Sequence, residues 1–231
     1  MIGAAPDALL FDLDGVLADV STSYRAAMVS AAARFGVALS GAEIAAGKAQ
    51  GDANNDWVLT RRLMARKGVD VSLAEVTAAF EAAYQGDDAA PGFWTRETLM
   101  VEPAWVEALA ARWPIAIVTG RPRADADRFF AHTGLGRFVT VSVTMHEAPA
   151  KPDPAPVRLA MARLAATGRP CATAWMVGDT PDDVRAAAAA GVLPVGVVAP
   201  GDDADEARAA LLAAGAAHVL GHVRELTELL P

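Results

Sequence analysis

The chain has 231 residues, enough for one core domain with a sizeable insertion and a substantial buried core. A formal net charge of -8 without any Lys/Arg-rich run speaks against a nucleic-acid partner, and a single cysteine excludes an internal disulfide framework. No run of about 18 apolar residues occurs, and Asp7, Asp12 and Asp14 interrupt any secretory leader, so a cytoplasmic protein without a membrane partner is expected.

The first element is the apolar run Ala8, Leu9, Leu10, Phe11, which has the length and content of a central parallel strand covered on both faces. It ends in Asp12-Leu13-Asp14-Gly15. In an extended strand Asp12 and Asp14 would share a face, but Gly15 lets the backbone turn first, so the two acids can take different tasks. One could attack phosphorus and the other could protonate a leaving oxygen. A plain turn or a fragment of a calcium loop competes with that reading, although Val16, Leu17 and Ala18 supply none of the further oxygen ligands a calcium loop needs.

Residues 24–35 and 57–67 have helical spacing, and Ser40-x-x-Glu43 and Ser72-x-x-Glu75 each match a capping box. No alternating strand occurs between residues 20 and 90. About a hundred residues separate the first acidic motif from the second, too many for a simple crossover. The expected organisation is therefore a core domain of residues 1–17 plus 93–231 and an inserted α-helical cap of residues 18–92. Its hinges would fall at 17–19 and 86–92, where Gly, Asp and Pro cluster. Within the cap, residues 46–57 are dense in amides, acids and glycines, a composition poor for a helix and suited to a hydrogen-bonding loop. Asn54 to Asp56 also read simply as the cap of the helix that follows.

The core resumes with a helix at 103–112 and a second apolar strand that ends in Thr119-Gly120, whose hydroxyl and backbone N–H groups suit a phosphate oxygen. Lys151, one of three lysines, sits among prolines in Ala150-Lys151-Pro152-Asp153-Pro154 and could pair with both a nucleophile and a phosphoryl group. The segment 174–183 is again strand, glycine and acid, running into a helix start with Thr180 as N-cap, Pro181 at the first position and Asp183 in the first turn. Magnesium prefers one or two carboxylates plus phosphate and water, so Asp12 and Asp179 with the backbone carbonyl of Asp14 would suffice. Asp182 reads as a helix-capping acid.

Parallel strands are expected at 8–12, 115–119, 139–143, 173–178, 194–198 and 217–220 in a doubly wound α/β sheet, with the alanine-rich 185–191 a helix packed closely on it. His132, His146, His218 and His222 lack zinc-ligand spacing, and Gly134-Leu135-Gly136 lacks the third glycine of a dinucleotide loop. Trp94, Trp105, Trp113 and Trp175 read as packing residues, and Cys171 as a small core residue.

The four motifs, Asp12-Leu13-Asp14-Gly15, Thr119, Lys151 and Gly178-Asp179 with Asp183, stand in the order of the haloacid dehalogenase superfamily, which the chain resembles over residues 8–184. The resemblance implies a Rossmann-like core with a helical cap and a magnesium-dependent phosphatase acting on a small phosphorylated metabolite. It makes Asp12 nucleophile and metal ligand, Asp14 general acid/base, Thr119, Gly120 and Lys151 the phosphate site, and Asp179 a magnesium ligand beside Asp12 and Asp14. Asp183 would stand behind these ligands. Haloacid dehalogenases and phosphonoacetaldehyde hydrolases lack an acid two residues after the nucleophile, so Asp14 favours phosphate-ester chemistry. Lys48 is similar to the cap lysine of the latter hydrolases, although an exposed lysine is the ordinary reading. The same resemblance places a specificity loop at Lys48, Asn54, Asn55, Asp56 and Trp57. With Thr119-Gly120-Arg121-Pro122-Arg123, this loop is also similar to phosphatase domains associated with histidinol-phosphate aminotransferase, which implies histidinol phosphate as substrate. Asp52 or Asp56 could accept its amine and Trp57 stack on its imidazole. A phosphosugar mutase and a catalytically idle binding module of the same fold remain the alternatives, and the oligomeric state is not legible.

Overall fold

The computed structural model describes residues 4–169 and 171–231. Six parallel strands form one sheet: β1 (Ala8–Phe11), β4 (Ile115–Val118), β5 (Val141–Val143), β6 (Ala174–Gly178), β7 (Leu193–Val197) and β8 (His218–Leu220). Their spatial order is β5-β4-β1-β6-β7-β8, so β1 lies inside the sheet and the order reverses beside it. Leu9 pairs with both Ile115 and Trp175, which brings the C-terminal ends of β1, β4 and β6 side by side. Open parallel sheets place ligands at such a switch point.

Alternation along the strands divides the interior. Leu9, Phe11, Ile115, Ile117, Trp175 and Val177 face one way, while Ala8, Leu10, Ala116, Val118 and Met176 face the other. On the second face the sheet meets α7 (Ala155–Ala165) and α8 (Pro181–Ala190), where Ala186 and Ala187 permit the close approach that their small size suggested. The first face continues without a break into Met28, Leu59 and Phe80, so sheet and inserted helices share one apolar cluster. Burying a Leu or Phe side chain contributes about 1.5–3 kcal/mol.

Four α-helices lie between Asp19 and Thr98: α1 (Tyr24–Ala33), α2 (Gly41–Ala49), α3 (Asp56–Arg66) and α4 (Leu73–Gln85). Ser40 and Ser72 form complete capping boxes with Glu43 and Glu75, and Asn55 caps α3 by accepting from the N–H groups of Trp57 and Val58. Such caps contribute about 1 kcal/mol each. The chain leaves the sheet through β2 (Ala18–Asp19) and returns through β3 (Thr98–Leu99), which pair antiparallel. Residues 86–92 form a turn closed by a bridge between Gly86 and Pro91. The remaining helices are α5 (Pro103–Ala110), α6 (Arg123–Thr133), α9 (Ala204–Ala214) and α10 (Leu226–Leu229).

Two expectations need correction. The loop expected from residue 46 begins later, because α2 runs on to Ala49 on its alanines despite Gly47. The edge strand expected at 139–143 is confined to Val141–Val143, the part whose register β4 fixes. Among the described residues no helix is long and apolar enough to cross a membrane.

Candidate active site

Asp12 stands one residue beyond β1, and the backbone turns at once behind it. The Leu13 carbonyl accepts from Leu17 and Ala18 at 2.9 and 2.8 Å, and Gly15 takes φ +76°, a left-handed value that costs glycine nothing. A Cβ at Gly15 would lie 2.4 Å from Asp179 Oδ2, so the glycine also lets the turn from β1 touch the acid at the end of β6. The turn separates the two acids of the first motif: Asp12 faces Lys151, whereas Asp14 faces Arg121.

Lys151 is buried and its Nζ donates to Asp12 Oδ1 at 2.9 Å, to the Val118 carbonyl at 3.0 Å and to Asp183 Oδ1 at 2.5 Å. Burial alone would lower the Lys151 ammonium, but Asp12 and Asp183 outweigh it and raise its pKa. Asp183 is held in turn by Thr180, whose N–H and hydroxyl donate to Asp183 Oδ2 while the Asp183 N–H donates back. The lysine is thus fixed on three sides. Thr119 is buried at the end of β4, its N–H donating to Val143 O and its hydroxyl accepting from the Arg121 N–H at 3.1 Å.

Asp12, Asp179 and Asp183 each offer a carboxylate oxygen, all within 4.8 Å of one another and all buried. Burial pushes Asp12 up to about 7 and Asp179 well above the usual carboxylate range, with the neighbouring acids adding to burial and Lys151 or Lys48 opposing it. Hard oxygen donors with more buried negative charge than the two lysines neutralise fit a small divalent cation such as magnesium. Asp12 and Asp179 are the residues that would hold it, since Asp183 already satisfies Lys151 and Thr180.

Asp14 lies against Arg121, whose Nε donates to Asp14 Oδ1 at 2.7 Å, with Nη2 2.6 Å from the same oxygen in poor hydrogen-bond alignment. Arg121 is fully buried and reaches on to Glu97 Oε2 at 2.8 Å. Glu97 also accepts from Ser23 Oγ and Tyr84 OH, and Tyr24 OH donates to Asp125. This network joins the turn after β4, the residue ahead of β3 and helices α1 and α4. None of Glu97, Tyr84 or Asp125 carries a sequence signal, and Arg121 is marked only by its place after Thr119-Gly120.

The inserted loop closes over the same edge. A Cβ at Gly120 would meet the Asn54 carbonyl oxygen at 2.3 Å, so the loop lies directly on the Thr119-Gly120 turn. Asn54, Asp56 and Trp57 line a small cavity with Asp14 and Tyr24, while Asn54 and Asn55 border a second one with Thr119, Lys151 and His146. His146, which lacks zinc-ligand spacing, stands at this rim in a left-handed conformation, φ 73°. The Trp57 ring packs edge-on against Phe80 at 6.4 Å, and Asp56 Oδ1 is buried without a hydrogen bond, 3.5 Å from Lys48 Nζ.

Lys48 corrects the expectation of an exposed lysine. It is 8% exposed, and Asp56 and Asp179 together outweigh burial to keep its ammonium charged. Asp182 likewise does not cap its own helix, a task taken by Thr180 and Asp183; its carboxylate accepts from the N–H groups of Asp52 and Ala53. Cys171 is only partly buried beside Met161.

A doubly wound α/β sheet with acids and a lysine converging at its switch point, under a helical insertion, defines a class of hydrolase fold. The chain belongs to the haloacid dehalogenase-like hydrolases, whose family model matches residues 6–191. A Phytophthora nicotianae protein named imidazoleglycerol-phosphate dehydratase is 42% identical over 200 residues, covering 84% of this chain but 43% of that protein, so the chain spans less than half its length. A phosphoglycolate phosphatase of Pseudomonas syringae pv. syringae is 32% identical over 200 residues, 82% of this chain and 68% of that protein. A crystal structure described as a predicted phosphoglycolate phosphatase from Haemophilus somnus shares the fold, with a TM-score of 0.74 at 17% identity over 96% of this chain and 97% of that one.

Proposed function

We propose that the protein is a magnesium-dependent phosphatase that hydrolyses a small phosphomonoester through an aspartyl-phosphate on Asp12. The carrying observation is the buried Asp12 carboxylate, held through Oδ1 by Lys151 with Asp179 beside it, which leaves Oδ2 for in-line attack. The Asp12 oxygen forms the new bond to phosphorus as the bond to the leaving oxygen breaks, and Asp14 delivers the proton that the leaving alkoxide needs. Water then attacks the acyl phosphate and gives its proton to Asp14, restoring both acids and releasing inorganic phosphate. Magnesium on Asp12 and Asp179 would supply charge neutralisation to the phosphoryl oxygens. Lys151 and the Gly120 N–H add fixed positive poles on the same oxygens.

For the leaving group the reading is an amine- or imidazole-bearing alcohol, with histidinol phosphate as the named substrate. Asp56 supports it, since a buried carboxylate oxygen without a hydrogen bond borders the cavity beside Asp14, with the Trp57 ring next to it. The Phytophthora relative, named for an imidazole-bearing phosphate, points the same way. Phosphoglycolate is the second reading: Lys48 offers its carboxylate a buried cation, and the Pseudomonas relative is named for it. Phosphate release from both compounds and from 4-nitrophenyl phosphate, with magnesium and with EDTA, decides between them. Equal rates with magnesium and with EDTA would refute the metal-dependent reading, and transfer to a second sugar phosphate without phosphate release would favour a mutase.

A further inference from the structure

The loop ahead of Asn54 is held on its two sides by groups of opposite sign. On the cap side Arg62 gathers three carbonyls, donating to Gly47 and Gly51 O through Nη2 at 3.2 and 3.1 Å and to Asp52 O through Nη1 at 3.1 Å. On the core side the Asp182 carboxylate takes the N–H groups, Oδ1 from Asp52 at 3.2 Å and Oδ2 from Ala53 at 2.9 Å. Gly51 and Asp52 are both left-handed, φ 83° and 51°, and this backbone turns two successive N–H groups toward one anion. A Cβ at Gly51 would stand 3.0 Å from Asp182 Oδ1 and 2.9 Å from Arg185 Nη1, so the fit leaves no room for a side chain. Asp182 is fully buried, and the Ala53 N–H from which it accepts is buried with it, so the pair would be costly to leave unmade.

We propose that Asp182 is the latch by which the catalytic domain closes the specificity loop: its carboxylate, docked in the Asp52–Ala53 amide cradle, sets where Asn54, Asn55 and Asp56 stand over the leaving group. It is a positioning residue, since it acts on substrate only through the loop. The proposal rests on the reading that this loop selects the leaving group. Asp182 belongs to the first turn of α8, whose base also carries Asp179 and Asp183, so the latch ties loop position to the helix that positions the phosphoryl site. A small ester that fills only the phosphoryl site does not depend on it.

The test is to compare Asp182→Asn and Asp182→Ala with wild type by amide hydrogen exchange and by steady-state kinetics. Loss of the latch should raise exchange at residues 51–55 by about tenfold or more while α1 and α4 stay protected. KM for histidinol phosphate should rise about tenfold with kcat within about twofold, and 4-nitrophenyl phosphate should respond less than about twofold. Unchanged protection of residues 51–55 would overturn the latch. Equal losses of kcat on both esters would also overturn it, because Asp182 would then be acting through α8. If Asp182→Ala does not fold, Gly51→Ala crowds the same contact from the loop side and is read in the same way. A wild-type enzyme without histidinol-phosphate activity would refute that substrate alone, and the exchange result would still decide the latch.

Discussion

At the C-terminal ends of the central strands, Asp12, Thr119 and Asp179 each follow a short buried strand and Lys151 reaches them from the loop after β5, so their positions are set by strand pairing and by ion pairs between side chains. In the loop over those ends, residues 50–55 have no strand partner, and their position rests on backbone groups held by Arg62 and Asp182. The first arrangement resists substitution of neighbours, since register is shared among several strands. The second can be re-set by a single side chain. A fold that keeps the chemistry on strands and the selection on a loop can change substrate without disturbing the reacting groups.

Breaking the rigid half should give the largest effect. Asp12→Asn keeps shape but removes the oxygen anion that the proposed mechanism uses for attack, and kcat should fall by about 10⁴-fold for every substrate, large or small. The melting temperature should stay near that of wild type, because Lys151 keeps Asp183. A folded variant with substantial turnover in a phosphate-release assay would remove Asp12 from its role.

The network around Arg121 carries the next effect, and it tests stability rather than chemistry. Arg121→Gln leaves Glu97 and Asp14 without their buried cation, a change that should destabilise the fold by about 3–5 kcal/mol in urea unfolding. Adding Glu97→Gln should return part of that loss, since burial already raises the Glu97 pKa and the neutral amide needs no cation. Additive losses in the double variant would show that the two residues do not act as a pair.

The residues that meet at the C-terminal ends of β1, β4 and β6 were legible in the sequence because they announce themselves locally: an acid after an apolar strand, a hydroxyl before a glycine, a lysine among prolines. The buried network was not, because Arg121, Glu97, Tyr84 and Asp125 lie on four separate elements and meet only through packing. Lys48 was misjudged for the same reason. Its spacing in α2 looks like that of any surface lysine, and only the docking of α2 over Asp179 and Asp56 buries it. Asp182 occupies a good capping position, and nothing local reveals that Thr180 and Asp183 already do that work.

A smaller effect should separate metal from proton at the sheet edge. Asp12 and Asp179 have raised carboxyl pKa values, so in metal-free protein the stability they contribute is complete below about pH 4 and is lost as pH rises, for Asp12 through about 7. In EDTA, melting temperature should fall between pH 5.5 and 8, and added magnesium should raise it more at pH 8 than at pH 5.5. At about 2–4 °C per kcal/mol for a chain of this size, the difference is measurable by calorimetry. Equal magnesium shifts at both values would mean that the cation does not meet these two acids.

The smallest effect tests the adjustable half. Asp56→Ala and Trp57→Ala remove groups that border the cavity next to Asp14 but touch none of Lys151, Asp12 or Asp179. Contacts to a remote part of the substrate accelerate only a substrate long enough to make them, so each change should lower kcat/KM for histidinol phosphate by about tenfold relative to 4-nitrophenyl phosphate. Asp56→Ala also frees Lys48 from its partner in the cap, which should improve phosphoglycolate at the expense of an amine. The sign of that exchange distinguishes the two leaving groups: a gain for the acid with a loss for the amine makes Asp56 the selector. Parallel losses on all three esters would instead place Asp56 and Trp57 among the residues that only begin α3.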